Sequence, residues 1–498
     1  MTKQKSLAFL ILFLCAVACA ENPSSPELDR LGANAHDLAK LLADIESIRS
    51  DANVTAVGIA LVSRDKVIHV GGLGVQRLGS VQAATSETWF RLGSITKSFV
   101  GLTALSRLRE RPELFSVPVN AVLPNVLSAD AEHGGDTVRL PELLEHTAGL
   151  GDLSRKEFAF QGETVTFKEA IGLDPDTRVL RWPASQHSSY SNAGYGLAGY
   201  MLEVDANDAF ETLVEKYVLS PTGMETAGFF VTEDTPVLAA GYDTDGVTPI
   251  PYWHMLYRSF GGLNATPKDM AKFLQALLQP AGPDSLFRNA AERLRFENPA
   301  TTLAADTGLT YGYGLGNYHW FSQGLLFHGH GGDADGYLSH YGYSNEAGFG
   351  YFIVVTAYNK KPLNEMRDEL ERYIARQAAT EREGGASRAR TDDVVELPES
   401  VLRDYAGDYV EVTKRFGRPN ASANIPSLTV TIKNNQLHTR FGKRRRPLVA
   451  VSEHHFKRPW QPGATYAFIT AADGDVYLQG DMGNFKRLGP GPELKSGR

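Results

Sequence analysis

Ser94-Ile95-Thr96-Lys97 places a hydroxyl and an amine three residues apart. A serine hydroxyl is a poor nucleophile at neutral pH and needs a base within hydrogen-bond reach. On a helix, residues i and i+3 share one face, so Lys97 falls beside Ser94. A lysine desolvated in a cleft loses much of its preference for the charged form and can then accept a proton. Ile95, Phe99, Leu102, Leu105 and Leu108 recur at spacings of three and four, which predicts a helix starting at Ser94. Free N–H groups at a helix start point toward developing negative charge. The S-x-x-K spacing is a weak signal by itself, because a capping serine followed by a surface lysine gives the same pattern. A second copy, Ser63-Arg64-Asp65-Lys66, joins two alternating apolar runs and reads as a hairpin turn.

Acyl transfer needs further groups. A phenol should hydrogen-bond the serine and pass a proton to the leaving group. Tyr190-Ser191-Asn192 offers one at a loop-to-helix junction, where Tyr190 and Asn192 can point into one cleft. Tyr343-Ser344-Asn345 repeats the triplet between two strand runs and reads as a turn. Two backbone N–H groups must meet the oxyanion. His330-Gly331-Gly332 places glycines on a strand, where they weaken it unless another backbone or a ligand comes close. The following amide, that of Asp333, would then face the oxyanion together with that of Ser94. His133-Gly134-Gly135 is a further copy with no assigned role.

These residues must be positioned by a chain of 498 residues, a length suited to two or three domains. Asn34 to Ser50 has helical periodicity, with Leu38, Leu41, Leu42 and Ile45 on one stripe. Strands follow from Ala56 to about Val75, and then the Ser94 helix. Residues 110 to 310 read mostly as helices and loops. Strands return at Gly324–His328, Gly336–Tyr343 and Gly350–Tyr358, and a helix follows from Leu363 to Ala378. This order predicts an α/β (α+β) fold: an antiparallel sheet flanked by helices, with a mainly helical region between its halves. After a linker at 381–396, residues 397–498 alternate short strands and turns, as a small all-β barrel would.

Residues 1–20 read as a signal peptide. Lys3 and Lys5 precede an apolar run from Leu7 to Val17 that is too short to span a bilayer. Ala18-Cys19-Ala20 fits ordinary cleavage, whereas Ala16-Val17-Ala18-Cys19 resembles a lipoprotein box with Cys19 acylated. The second reading is favoured because it explains an apolar run ending in a lone cysteine. A polar tether at 21–32 would follow. The two cysteines, Cys15 and Cys19, both lie in this segment, so the remainder has no disulfide, cysteine nucleophile or thiolate metal site. No metal or cofactor is implied. The net charge of −8 is spread along the chain, which argues against nucleic acid as a partner. The one dense basic cluster, Lys443-Arg444-Arg445-Arg446, reads as a solvated turn.

In this order, S-x-x-K, Y-S-N and H-G-G resemble the serine β-lactamase and penicillin-binding protein superfamily. The similarity is to its branch of class C β-lactamases, D-aminopeptidases and related esterases. Leu143-Leu144-Glu145-His146-Thr147-Ala148-Gly149-Leu150 is similar to the family's L-L-x-H-T-S-G-L. Pro221-Thr222-Gly223-Met224 is similar to P-L-G-M. Gly261-Gly262-Leu263-Asn264-Ala265-Thr266-Pro267-Lys268-Asp269-Met270 is similar to G-G-L-x-x-T-x-x-D-L. The resemblance covers residues 33–380 and implies a β-lactamase/transpeptidase-like domain. It implies Ser94 as the acylated nucleophile, Lys97 as proton acceptor, Tyr190 as proton shuttle and Asn192 as a group that binds the substrate's amide. His330 stands where the family's third motif has the lysine of K-T-G, and Gly331 lacks its threonine hydroxyl. A lysine there supports recognition of a carboxylate, so dedicated β-lactamase activity is discounted. The segment from Leu402 to Tyr409 opens a piece similar to the lipocalin-like barrel of some relatives.

The expectation is an exported serine hydrolase acting through an acyl-enzyme on D-amino-acid-containing peptides, small amides or esters. Its partner would be a small-molecule or peptide substrate, with the membrane reached only through the lipid anchor. The alternatives are a non-catalytic sensor or scaffold of the cell envelope and a β-lactamase.

Overall fold

Strands β1 (Ala56–Ser63), β2 (Val67–Gly74), β3 (Tyr318–Ser322), β4 (Leu325–Ala334), β5 (Tyr337–Ser344) and β6 (Phe349–Val355) pair into one antiparallel sheet in the order β2-β1-β6-β5-β4-β3. The computed structural model describes residues 26–128, 137–160, 164–382, 391–413, 415, 427–472, 474–481 and 483–489. The expected signal segment with Cys19, the start of the tether, the His133-Gly134-Gly135 copy and residues 383–390 of the expected linker lie outside the described residues.

The two ends of the first domain meet at the centre of the sheet, where Val57 pairs with Val355 and Ile59 with Ile353. Side chains alternate between faces along a strand. Val57, Ile59 and Leu61 face one core with Leu41 and Ile45 of α1 (Pro26–Asp51), and with Met366, Leu370 and Ile374 of the helix Lys360–Arg382. Ala60 and Val62 face the other core, with Phe99 and Val100 of α2 (Thr96–Leu108) and Phe273 and Leu274 of the helix Pro267–Leu278. Both faces are covered, so β1 and β6 are apolar almost throughout. The helix α1 begins inside the segment expected as a tether. Proline is tolerated in a first helical turn.

The region between the sheet halves supplies α3 (Asn192–Ala206), capped by Ser191, whose hydroxyl accepts the Gly194 amide. Strand β4 carries His330-Gly331-Gly332, as the sequence predicts, and β5 pairs with it from His328 to Ala334: His330 opposes Tyr341 and Gly332 opposes Ser339. The Ser63–Lys66 copy is a hairpin turn, with Ser63 N bonded to Lys66 O. Tyr343-Ser344-Asn345 ends β5 and bonds Glu297 through Tyr343 and Asn345.

Eight antiparallel strands from Gly407 to Arg487 close into a barrel, the first pairing with the last at Tyr409 and Arg487. Val430, Leu437, Leu448, Phe456, Phe468, Leu478 and Phe485 are buried within it. Of the basic cluster, Arg444, Arg445 and Arg446 lie on a barrel strand rather than in the turn. The barrel is fixed to the first domain through the loop before Tyr190. Asn484 Nδ2 donates to Ser188 O at 2.7 Å, Thr413 Oγ1 to the same oxygen at 3.1 Å, and Gln479 Nε2 to Gln186 O at 2.8 Å.

Candidate active site

Ser94 sits on a single tight turn, Gly93–Ile95, that leads into α2, rather than in the first turn of the α-helix itself. Gly93 has φ +54, a left-handed value that suits glycine. A Cβ there would also stand 2.7 Å from Asp333 N. The turn is held by Thr96 Oγ1, which donates to Gly93 O at 2.7 Å and accepts Leu263 N at 3.1 Å. On the strand side, a Cβ at Gly332 would overlap the Leu92 carbonyl oxygen, which accepts Ser339 Oγ at 2.8 Å. The glycine on β4 is thus explained by the backbone of the Ser94 turn pressing on it. That packing sets the Asp333 amide beside the turn carrying Ser94, where it and the Ser94 amide can face one oxyanion.

Lys97 Nζ and Tyr190 OH both converge on Ser94 Oγ, each at 2.9 Å. Lys97 is fully buried, and Nζ also donates to Asn192 Oδ1 and Phe260 O, both at 2.8 Å. Burial pushes the Lys97 amine well below the ordinary lysine value; the charge of Asp152 opposes this and that of Arg415 adds to it. A neutral amine has two hydrogens and one lone pair. Asn192 Oδ1 and Phe260 O can only accept, so they take the hydrogens and the lone pair is left for the Ser94 hydroxyl. The Asn192 amide is oriented by Asp152, whose Oδ2 accepts Nδ2 at 3.3 Å while Oδ1 accepts the Asn192 backbone N–H at 2.8 Å.

Burial holds the Tyr190 phenol well above its ordinary value, against the opposing effects of the Ser94 hydrogen bond and the Arg415 charge. The ring of Tyr190 packs on His146 at 4.2 Å between centroids. His146 is itself buried, and its Nδ1 accepts the Ser191 amide at 3.0 Å. Its position inside the H-T-A-G stretch therefore holds the Tyr190-Ser191 backbone. His330 is enclosed by Tyr313 and Tyr318, with Nε2 at 2.7 Å from Tyr313 OH. Burial, helped by the nearby Lys97, pushes its pKa down to about 3, so it is a neutral imidazole at neutral pH. These aromatic walls exclude the water that would solvate an imidazolium.

Ser94, Tyr190, Asn192, His330, Gly331, Gly332 and Asp333 all line one cavity of about 630 Å³, with Lys97 behind Ser94. Two further residues that the sequence did not reveal support the site, Arg415 on the cavity wall and Asp152 behind it. Asp152 follows the Leu143–Leu150 stretch and carries no distinguishing spacing. Arg415 lies beyond the linker, in the barrel, between its first two strands. Its Nε donates to Asp152 Oδ2 at 2.7 Å, its carbonyl accepts the Asp152 amide at 3.0 Å, and its guanidinium lies 4.5 Å from the Tyr190 ring centroid. No pattern in residues 397–498 points at the first domain. Among the described residues no cluster of histidine, cysteine or carboxylate side chains could hold a metal ion.

The sheet, the covering helices and this serine–lysine–tyrosine cluster define a β-lactamase/transpeptidase-like fold. The chain belongs to the β-lactamase family, whose model matches residues 37–379. It is thereby in the serine hydrolase family of the β-lactamase and penicillin-binding protein fold. It is 27% identical over 317 residues to penicillin-binding protein 4 of Amycolatopsis lactamdurans, covering 59% of this chain and 79% of that one. It is 24% identical over 328 residues to a D-aminopeptidase of Gluconobacter oxydans, covering 60% of this chain and 57% of that one. It spans about half the length of some other relatives, 46% of PbpX of Bacillus subtilis among them. The fold is shared with an octameric penicillin-binding protein homologue from Pyrococcus abyssi, at TM-score 0.55, 22% identity, and coverage of 91% of this chain and 100% of that one. A D-amino acid amidase of Ochrobactrum anthropi superposes at TM-score 0.56 and 22% identity, covering 68% of this chain and 99% of that one.

Proposed function

We propose that this protein hydrolyses D-amino-acid-containing peptides, small amides or esters through an acyl-enzyme on Ser94. The observation that carries the reading is the approach of Lys97 Nζ and Tyr190 OH to one hydroxyl, both at 2.9 Å. In acylation, the Ser94 proton passes to Lys97 as Oγ bonds the carbonyl carbon and the carbonyl oxygen takes up negative charge between the Ser94 and Asp333 amides. As the carbon–leaving-group bond breaks, Tyr190 gives its proton to the leaving atom and is resupplied by the Lys97 ammonium. Deacylation runs the same transfers with water in place of the leaving group. Asn192, held by Asp152, lines the cavity where a substrate amide could reach it.

The relatives include a D-aminopeptidase and, by fold, a D-amino acid amidase, which supports the D-configured substrate class. The neutral His330 supports the exclusion of a dedicated β-lactamase, since it brings no fixed charge to the place of the third-motif lysine. Export with acylation at Cys19 is part of the same reading and rests on Lys3, Lys5 and the apolar run that ends at the cysteine. The test is a panel of D-Ala-D-Ala peptides, D-amino-acid amides, p-nitrophenyl esters and nitrocefin, run with wild type and Ser94→Ala. Repeated turnover that disappears in the variant supports the hydrolase. A single acylation that then stalls on every substrate would support a sensor instead.

A further inference from the structure

We propose that a basic hairpin of the C-terminal barrel docks the protein on an anionic membrane by binding the phosphates of lipid headgroups. The inference goes beyond the hydrolase reading and does not depend on it. The run Lys443-Arg444-Arg445-Arg446 begins in the turn between the strands Gln436–Phe441 and Arg444–Ala450 and continues along the second of them. All of these cations are exposed, as are Lys433 and Arg440 on the neighbouring strands.

Within the fold this charge is a cost. Arg440 stands directly opposite Arg445 in the ladder, and like charges so placed repel. Their guanidiniums bond only threonine hydroxyls, Arg440 Nη2 to Thr429 Oγ1 at 3.1 Å and Arg445 Nη2 to Thr431 Oγ1 at 2.8 Å. Asp408 is linked to Arg440 through the Thr429 hydroxyl rather than by an ion pair. Among the described residues no carboxylate pairs with Lys433, Arg440 or any member of the 443–446 run. Charge kept at the expense of stability points to a counter-charge outside the chain.

Side chains alternate along each strand, so the cations divide between two surfaces. Arg440 and Arg445 stand on the outer wall. Phe441, Arg444 and Arg446 turn to the barrel mouth, where with Lys443, Thr439 and Arg458 they line a cavity of about 510 Å³. No carboxylate lines it. Its arginines suit a phosphate, whose oxygens accept charge-assisted hydrogen bonds. A single soluble anion in the cavity would leave the outer-wall pair unmatched, whereas a plane of headgroups meets both surfaces. The rim is also partly apolar. Phe441 is 49% exposed, and Trp460, 63% exposed, follows Arg458, which bonds the Arg446 and Pro447 carbonyls at the same end. Exposed aromatics among cations suit a membrane interface.

The hairpin is free to meet such a surface. It is built of the third and fourth barrel strands, across the barrel from the seventh and eighth, whose Gln479 and Asn484 hold the first domain. One acyl chain alone anchors a protein only reversibly, so a polybasic patch would complete the attachment proposed for Cys19.

The experiment measures partition of the full chain onto sedimenting vesicles of phosphatidylcholine, with and without phosphatidylglycerol. Wild type should prefer the anionic vesicles, and high salt should abolish the preference. Arg444→Gln/Arg445→Gln should lower it by about 30-fold, the worth of two cations near a charged surface. Arg444→Lys/Arg445→Lys should retain it, and so should Lys66→Gln/Lys361→Gln, which makes the same change in net charge elsewhere. The amino-terminal segment is common to all of these proteins and cannot produce the difference. Ester hydrolysis that depends on Ser94 should be the same in every variant. Equal binding of wild type to both vesicles overturns the inference, as does a preference that survives Arg444→Gln/Arg445→Gln or falls as far in Lys66→Gln/Lys361→Gln. Displacement from the vesicles by millimolar glycerol phosphate would reassign the cavity to a soluble phosphate. Retention on heparin without retention on anionic vesicles would reassign the hairpin to a polyanion. Each of these outcomes removes the membrane role and leaves the hydrolase standing.

Discussion

Asp152 is the residue whose replacement separates structure from chemistry most cleanly. It is buried, and its carboxylate accepts the Asn192 amide and the Leu153 amide at Oδ1, and Asn192 Nδ2 and Arg415 Nε at Oδ2. Asp152→Ala strips two buried backbone N–H groups of their acceptor, each costing about 1–3 kcal/mol. The ion pair adds little, no more than about 1 kcal/mol, because Arg415 is part exposed. Asp152→Asn keeps an oxygen for both backbone amides and loses about one net hydrogen bond, roughly 0.5–1.5 kcal/mol. Urea unfolding followed by tryptophan fluorescence should therefore rank wild type above Asn above Ala, with the larger step at Ala. Activity should divide differently. The Asp152 charge holds the Lys97 pKa up against burial, so its removal lowers that pKa further. Since protonated Lys97 cannot accept the Ser94 proton, the acid limb of kcat/KM should move to lower pH in Asp152→Asn. Equal stability of the Asn and Ala variants, or an acid limb that stays put or moves upward, would refute this account of Asp152.

Lys97→Met should lower kcat/KM by about 10²- to 10⁴-fold, the usual worth of a positioned proton acceptor, measured on the best ester of the panel. The same variant should alter how stability depends on pH. The folded Lys97 pKa lies below its unfolded value of about 10.4, so the wild type loses stability as pH falls from there toward the lowered pKa. Urea midpoints of Lys97→Met should lack that component of the slope. Gly332→Ala must push the Leu92 backbone away, an overpacking cost of about 1–3 kcal/mol, and should lower both the unfolding midpoint and Ser94 acylation. His330→Lys should fail to create nitrocefin turnover and should destabilise the fold, because it sets an ammonium among Tyr313, Tyr318 and the Lys97 amine. A gain in nitrocefin hydrolysis would contradict the reading of that pocket.

Much of the first domain was legible because its signals are local. The spacing of Phe99, Leu102 and Leu105 marks α2, and the apolar runs around Val57 and Ile353 mark the central strands. The order of Ser94, Tyr190 and His330 along the chain identified the cluster, and the structure brings Lys97 and Tyr190 to Ser94. What escaped depends on contacts between distant segments. The function of Gly332 as a seat for the Leu92 carbonyl needs the turn and the strand together. The neutral state of His330 is set by Tyr313 and Tyr318, which come from outside its own motif. Asp152 and Arg415 meet across a sequence separation of 263 residues, which no periodicity records. The start of α1 at Pro26 was missed because a proline-containing polar stretch looks the same whether it opens a helix or forms a tether.

The central claim, that Ser94 is an activated nucleophile, is tested most directly by trapping it covalently. The protein is incubated with a fluorophosphonate probe, digested, and the modified peptide located by mass spectrometry. One adduct on the peptide containing Ser94, absent in Ser94→Ala and strongly slowed in Lys97→Met and Tyr190→Phe, is the predicted result. An adduct on another residue, or labelling of Ser94→Ala equal to that of wild type, would contradict it.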